Sequence, residues 1–268
     1  MAFKAVFIDM DGTLLRSDHT ISPTTQEVLR DLQQRGIWVV PVSARPLHGI
    51  LPITGPVISE SNPVVSLNGS YIYHQGQIIH QVIINLDHAR SVHEEIRDQE
   101  ASVMYYSQMD WFATQDSPLI RKEQRITPVP IRIEPFDQIL DQWRSQDNGP
   151  NKIMVGGDPD LVSSIEARLI SLHRGTLNIY KSQPRFLEIM NRQASKKSAL
   201  EFLLNRFGLD RKEAIAFGDN YNDQEMIAYA GLGVAMGNAP EAIKQSAAYI
   251  TDTNNEDGVA KALRHFLG

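Results

Sequence analysis

Two carboxylates one residue apart, Asp9 and Asp11, stand in the run Asp9-Met10-Asp11-Gly12-Thr13, directly after the apolar stretch Ala5-Val6-Phe7-Ile8. A short continuous apolar run reads as a buried strand, and open α/β sheets bind ligands beyond the carboxyl ends of their strands. Both acids would then lie close together at the mouth of a sheet. Such a pair repels unless a cation sits between the two groups or one carries a proton, which suits a division of labour in which one attacks and the other shuttles a proton. The same five residues also suit an ordinary Asp-Gly turn, so the pair alone leaves both readings open.

Three further segments carry chemistry at comparable places. The apolar run 37–43 ends in Ser43-Ala44-Arg45, and the run Ala214-Ile215-Ala216-Phe217 ends in Gly218-Asp219-Asn220-Tyr221-Asn222-Asp223. Ser195-Lys196 opens an amphipathic helix, which puts an ammonium beside the positive dipole end of a helix start, a pairing that favours an anion. Ser43 could equally cap the helix after Arg45-Pro46, and Arg45 reads as a structural ion-pair partner rather than a catalytic group.

The four segments, in this order, resemble the four motifs of the haloacid dehalogenase-like (HAD) phosphatase superfamily. Ser66-Leu67-Asn68-Gly69, Phe186-Leu187-Glu188-Ile189, Ala235-Met236-Gly237-Asn238-Ala239 and Glu256-Asp257-Gly258-Val259 bring the resemblance nearest to its Cof-type branch, which carries a large α/β cap. The resemblance covers both ends of the chain and is weak between about residues 85 and 180. It implies a phosphatase, a phosphoric monoester hydrolase, in which Asp9 attacks phosphorus to form an aspartyl-phosphate and Asp11 protonates the leaving alcohol, then deprotonates the attacking water. It also implies Mg²⁺, held by Asp9, the backbone carbonyl of Asp11 and Asp219, with Asn220 a weaker ligand and Asp223 holding a metal-bound water. Phosphate oxygens would be bound by Ser43, by the amides of Met10 and Ala44, by Asn222 and by Lys196. Lys197 stands where the Cof pattern usually has glycine, which leaves open which lysine points inward; matching position favours Lys196. A phosphomutase of the same superfamily would share every one of these residues, and a non-catalytic phosphate-ligand sensor is the rival from another class.

Elements must hold these groups in register. Ser22-Pro23 reads as an N-cap followed by proline at the first helical position, Val28, Leu29 and Leu32 form its buried stripe, and Gly36 ends the helix. Strand, helix and strand in that order predict a parallel sheet, and the fold class expected is α/β, a Rossmann-like parallel-sheet core with an inserted α/β cap domain. The core is expected over residues 1–84 and 186–268 and the cap, which would select the substrate, over 85–185. Within the cap the pattern predicts a helix at about 87–99, a strand at 102–107, a Pro-rich passage from Thr127 to Pro135, and a helix-strand-helix-strand run through residues 152–155 and 161–172. The core then resumes from Arg185, with a helix over 195–207 closed by Gly208, strands near 214–217 and 232–235, and a last helix from Glu256.

Composition bounds the rest. At 268 residues the chain can bury a large core. A net charge of -6 without a basic cluster argues against nucleic acid. No apolar run approaches the ~20 residues of a membrane span, and Lys4 interrupts any signal-like start, so a cytoplasmic protein with no membrane partner is expected. Zero cysteines exclude disulfides and a thiolate nucleophile. The eight histidines are scattered without metal-ligand spacing. The partner expected is a small phosphorylated metabolite, by resemblance a sugar phosphate, a nucleotide or pyridoxal phosphate; oligomeric state is not readable.

Overall fold

The computed structural model describes residues 2–126 and 129–268, so Thr127 and Pro128 of the Pro-rich passage lie outside the described residues. The chain divides into two compact units, Met1–His80 with Ser195–Gly268, and Gln81–Ala194.

The first unit is built on an eight-stranded sheet. Its strands along the chain are β1 (Ala5–Asp9), β2 (Trp38–Val42), β3 (Val64–Ser66), β4 (Tyr71–His74) and β5 (Gln77–Gln81). In the second unit follow β6 (Ser102–Ser107), β7 (Asp110–Ala113), β8 (Arg132–Ile133), β9 (Lys152–Gly156), β10 (Leu177–Gln183) and β11 (Phe186–Asn191). The first sheet is completed by β12 (Ala214–Gly218), β13 (Leu232–Ala235) and β14 (Tyr249–Ile250), in the order β14-β13-β12-β1-β2-β3-β4-β5. From β14 to β3 the pairing is parallel; β4 then runs antiparallel to β3 after the tight turn Leu67–Gly69, and β5 follows it at the sheet edge. The α/β class with a parallel-sheet core is the one the sequence predicts.

Alternate residues of β1 feed two separate apolar layers, as strands buried on both faces must. Val6 and Ile8 pack with Val39, Ile215, Phe217 and Val234 against Val28, Leu29 and Leu32 of helix α1 (Pro23–Gln34) and Val259 and Leu263 of the C-terminal helix, Gly258–Leu267. Ala5 and Phe7 pack with Val40, Val42, Ala214 and Ala216 against Ala199, Leu200, Leu203 and Leu204 of the helix Lys196–Phe207. Each fully buried aliphatic side chain is worth about 1.5–3 kcal/mol, so the sheet is clamped from both sides. Ser22 caps α1 by accepting from the Thr25 amide at 3.1 Å. Gly36 follows in the left-handed region at φ 75°, the conformation that ends a helix at a glycine.

The second unit has its own six-stranded sheet, β10-β11-β9-β6-β7-β8, antiparallel except for β7–β8. Three helices, Leu86–Ile96, Phe136–Ser145 and Pro159–Leu172, cover one face through Val92, Ile139, Trp143 and Ile165. One boundary read from the sequence needs correction. Residues 186–191, expected in the core, form β11 and pair with both β9 and β10 of this second sheet. The last helix also begins at Gly258 rather than Glu256, because Asp257 adopts φ 60° and separates it from a 3₁₀ turn at Asn254–Glu256. Among the described residues no helix is long and apolar enough to cross a membrane.

Candidate active site

The register of the parallel strands brings the motifs level. Ile8 stands beside Pro41 on one side and Phe217 on the other, so Asp9, Ser43 and Asp219 leave the sheet at one edge. The helix Lys196–Phe207 is capped by Ser195, whose hydroxyl accepts from the Ser198 amide at 3.0 Å while Ser198 Oγ accepts from the Ser195 amide at 3.0 Å. This reciprocal cap fixes the helix start and directs the first side chain, Lys196, inward.

Lys196 is 2% exposed, and its Nζ donates to Asp9 Oδ1 and to Asp223 Oδ1, each at 2.5 Å. Asp223 is fully buried, and its second oxygen accepts the backbone amides of Asp219 and Asn220, each at 3.0 Å. A lysine and an aspartate thereby tie the end of β1 to the loop after β12. Burial pulls the Lys196 pKa down, but the Asp223 and Asp9 carboxylates outweigh it and hold the ammonium above the ordinary lysine value. Burial, followed by repulsion from Asp223, pushes Asp9 well above the usual carboxylate range despite Lys196. Asp219 is raised as well, chiefly by burial. Lys197 is half-buried and turned away from the cluster; it pairs with Glu201 at 3.4 Å one turn along the helix and lies over the Tyr229 ring at 5.3 Å.

Asp9, Asp219 and Asp223 each offer a carboxylate oxygen, and the three lie within 4.8 Å of one another. Thr13 Oγ1 donates to Asp219 Oδ1 at 3.0 Å and Asn238 Nδ2 to Asp219 Oδ2 at 3.3 Å. Gly12, at φ 82°, lies against the Asp219 carboxylate so closely that a Cβ would overlap it, and Gly218 leaves the matching space for Asp223.

Not every residue named from the sequence joins this cluster. Asn220 spends its side-chain oxygen on the Tyr221 amide at 2.8 Å, capping a 3₁₀ turn, and Asp223 takes the third place among the carboxylates. Asn222 donates to Asn68 Oδ1 at 3.0 Å, with Asn68 itself in the left-handed region at φ 52°. Ser43 is buried and accepts from the Arg45 amide at 3.1 Å, which leaves its hydroxyl proton for another acceptor. Met10 buries its side chain in the core and Ala44 is half-buried. Asp11 is half-exposed and faces Arg45, whose Nε and Nη2 meet its two oxygens at 2.8 and 2.6 Å. The ion pair anticipated for Arg45 thus has the second acid of the motif as its partner.

Comparison with known proteins bears on this geometry. A family model described as haloacid dehalogenase-like hydrolase matches residues 6–263. The chain belongs to the haloacid dehalogenase-like hydrolases. Relatives of this hydrolase include a Haemophilus influenzae protein provisionally named a phosphatase, 40% identical over 98% of both chains. The Bacillus subtilis 5-amino-6-(5-phospho-D-ribitylamino)uracil phosphatase YcsE is 29% identical over 98% of this chain and 96% of its own. The crystal structure of a haloacid dehalogenase-like hydrolase from Bacteroides thetaiotaomicron superposes with a TM-score of 0.87 at 32% identity, covering 98% of this chain and 99% of that one. Thr13 and Asn238, the two donors on Asp219, were not singled out from the sequence of this hydrolase. Both stand in segments that carry the family resemblance, Thr13 in the first motif and Asn238 in Ala235-Met236-Gly237-Asn238-Ala239, but their bonds to Asp219 join residues 206 and 19 positions apart and are seen only in the fold.

Proposed function

We propose that the chain hydrolyses small phosphorylated metabolites through an aspartyl-phosphate on Asp9, with Mg²⁺ as the resident cation. The chain is a phosphatase of its family, and the finer reading rests on one observation. The buried Lys196 ammonium, 2.5 Å from both Asp9 and Asp223, holds a carboxylate still at the end of a parallel strand. Anchored through Oδ1, Asp9 presents Oδ2; as its bond to phosphorus forms, the ester O–P bond breaks. Asp11, half-exposed on its loop, gives a proton to the departing alkoxide and recovers one from the water that then opens the acyl-phosphate. Lys196 and the Ser43 hydroxyl are the donors suited to the phosphoryl oxygens.

The donor set fits a hard dication. Three carboxylates crowd together against one ammonium, which leaves two negative charges and only oxygen ligands, the preference of Mg²⁺. Asp9, Asp219 and the backbone carbonyl of Asp11 would hold it. Both oxygens of Asp223 are engaged already, which suits that residue to orienting a bound water. When bound, Mg²⁺ supplies the positive charge that lets a phosphate dianion approach Asp9.

Substrates in the range of sugar phosphates, nucleotides and pyridoxal phosphate fit this reading, and the named substrate of the Bacillus subtilis relative is another small phosphorylated metabolite. Phosphate release from such a panel, with Mg²⁺ or with EDTA, for the native chain and Asp9→Asn tests it. Release that needs Mg²⁺ and vanishes in Asp9→Asn is the expected result. An isomerised phosphosugar without free phosphate would move the chain to the phosphomutases, and binding without turnover to a sensor.

A further inference from the structure

In the second unit two imidazoles meet although 85 residues separate them. His88 lies in the first turn of the helix Leu86–Ile96, and His173 is the residue that closes the helix Pro159–Leu172. Their Nδ1 atoms are 3.3 Å apart, their ring centroids 5.2 Å apart, and their planes are crossed at 84°. Two imidazole nitrogens sharing a tetrahedral cation at about 2.0–2.1 Å stand roughly 3.3–3.4 Å from each other, with ring centres roughly 5.2 Å apart. Both observed separations agree with that arrangement.

The surroundings support the same tautomers. His173 Nε2 lies 3.3 Å from Ser91 Oγ, and Ser91 sits one turn beyond His88 on the same helix. An Nε2–H given to that hydroxyl leaves Nδ1 of His173 as the bare nitrogen, the relation that orients ligating histidines generally. His173 is 4% exposed, while His88 is half-buried and opens the pair to solvent. Among the described residues no third imidazole, thiolate or carboxylate closes on the two.

We propose that His88 and His173 form a second metal site, for a borderline-soft first-row dication such as Zn²⁺, with Ser91 as the positioning residue and water completing the shell. Ligand chemistry separates it from the carboxylate cluster: imidazole nitrogens suit Zn²⁺, Ni²⁺ and Cu²⁺, and carboxylates with water suit Mg²⁺. A cation held there would pin the start of one helix to the end of another and stabilise the unit by mass action.

The test is calorimetric titration of the full, EDTA-treated chain with Zn²⁺ in the presence of saturating Mg²⁺, which occupies the carboxylates. Native protein and Asp219→Asn should each bind one Zn²⁺ per chain at this site. His88→Gln should lose that binding, and Ser91→Ala, which keeps both ligands, should weaken it by about 10-fold or more. Co²⁺ added to the native chain should show the absorption of a tetrahedral nitrogen site, absent in His88→Gln. No Zn²⁺ bound by the native chain, or binding that survives His88→Gln and disappears in Asp219→Asn, would overturn the proposal and leave the two imidazoles as a hydrogen-bonded pair.

Discussion

Lys196 serves two carboxylates at once, and which residue is removed decides what fails. Breaking a buried ion pair by deleting one partner costs about 3–5 kcal/mol because the remaining charge is stranded. Asp223→Asn keeps the shape, halves the compensation of the ammonium, and should lower the melting temperature and slow phosphate release by about tenfold or more. Lys197→Ala removes a partly exposed one-turn pair worth about 0.3–0.5 kcal/mol and a contact with the Tyr229 ring worth about 0.5–1 kcal/mol, and should leave the rate nearly unchanged with only a small drop in melting temperature; equal loss in the two variants would contradict the inward assignment of Lys196. The same cluster sets a pH dependence. Asp9 and Asp219 have folded-state pKa values raised above the ordinary 3.8, so the folded chain without a dication holds these protons more tightly than the unfolded chain. Their stabilising contribution is full below 3.8 and is lost as pH rises through the raised values. A bound dication relieves that loss, so the increase in melting temperature on adding Mg²⁺ should be larger near pH 8 than near pH 5. An increase that is larger at the acid end would mean that the cation binds elsewhere. At this scale the sequence was informative: Asp9, Asp219, Asp223 and Lys196 sit at strand ends or a helix start that composition and spacing already mark. The Asn238 amide, the Arg45–Asp11 pair and the His88–His173 pair were not readable as contacts, because each joins residues that only the folded chain brings together.

Among the elements, β1, β2 and β12 were legible as continuous apolar runs ending in polar residues, and their parallel pairing levels the motifs without further help. β11 was not. Leu187 and Ile189 alternate with Glu188 and Met190 in a way that suits either sheet, and the partners that decide, β9 and β10, are chosen by packing rather than by local pattern. Loops at strand ends carry the geometric demand. Gly12 occupies the left-handed region that costs other residues roughly 1–2 kcal/mol, and it lies where a Cβ would overlap the Asp219 carboxylate. Gly12→Ala should therefore lower stability by about that amount while displacing Asp219 and reducing Mg²⁺-dependent turnover far more than the loss of fold explains. Measuring Mg²⁺ affinity beside the melting temperature separates the effects: an unchanged affinity in a chain still folded would show that the loop, and not the carboxylate, gave way.

At the scale of the whole molecule, the insertion between β5 and the helix of Lys196 behaves as a chain within a chain. Its apolar cluster, from Ile84 and Val92 through Tyr105, Trp143 and Ile165 to Ile189, draws every member from residues 81–194, and the clusters on the first sheet draw none from there. The ends of the insertion are joined within it, since Asn191 Nδ2 donates to the Ile83 carbonyl at 2.8 Å and Ile84 donates its amide to the Pro150 carbonyl at 2.7 Å. Closing the ends in this way means that excision cuts the chain where the unit is already tied, and no strand of its sheet is divided between two fragments. Residues 81–194 expressed alone should consequently unfold in one cooperative transition, with near-ultraviolet dichroism from the buried Trp111 and Trp143. A fragment cut at 85–185, the span expected from sequence, would lose β11 from beside β9 and expose Leu187 and Ile189 positions of the core. That shorter fragment should aggregate or unfold without cooperativity. Equal behaviour of the two fragments would show that β11 contributes little to the second sheet, against the pairing on both of its sides.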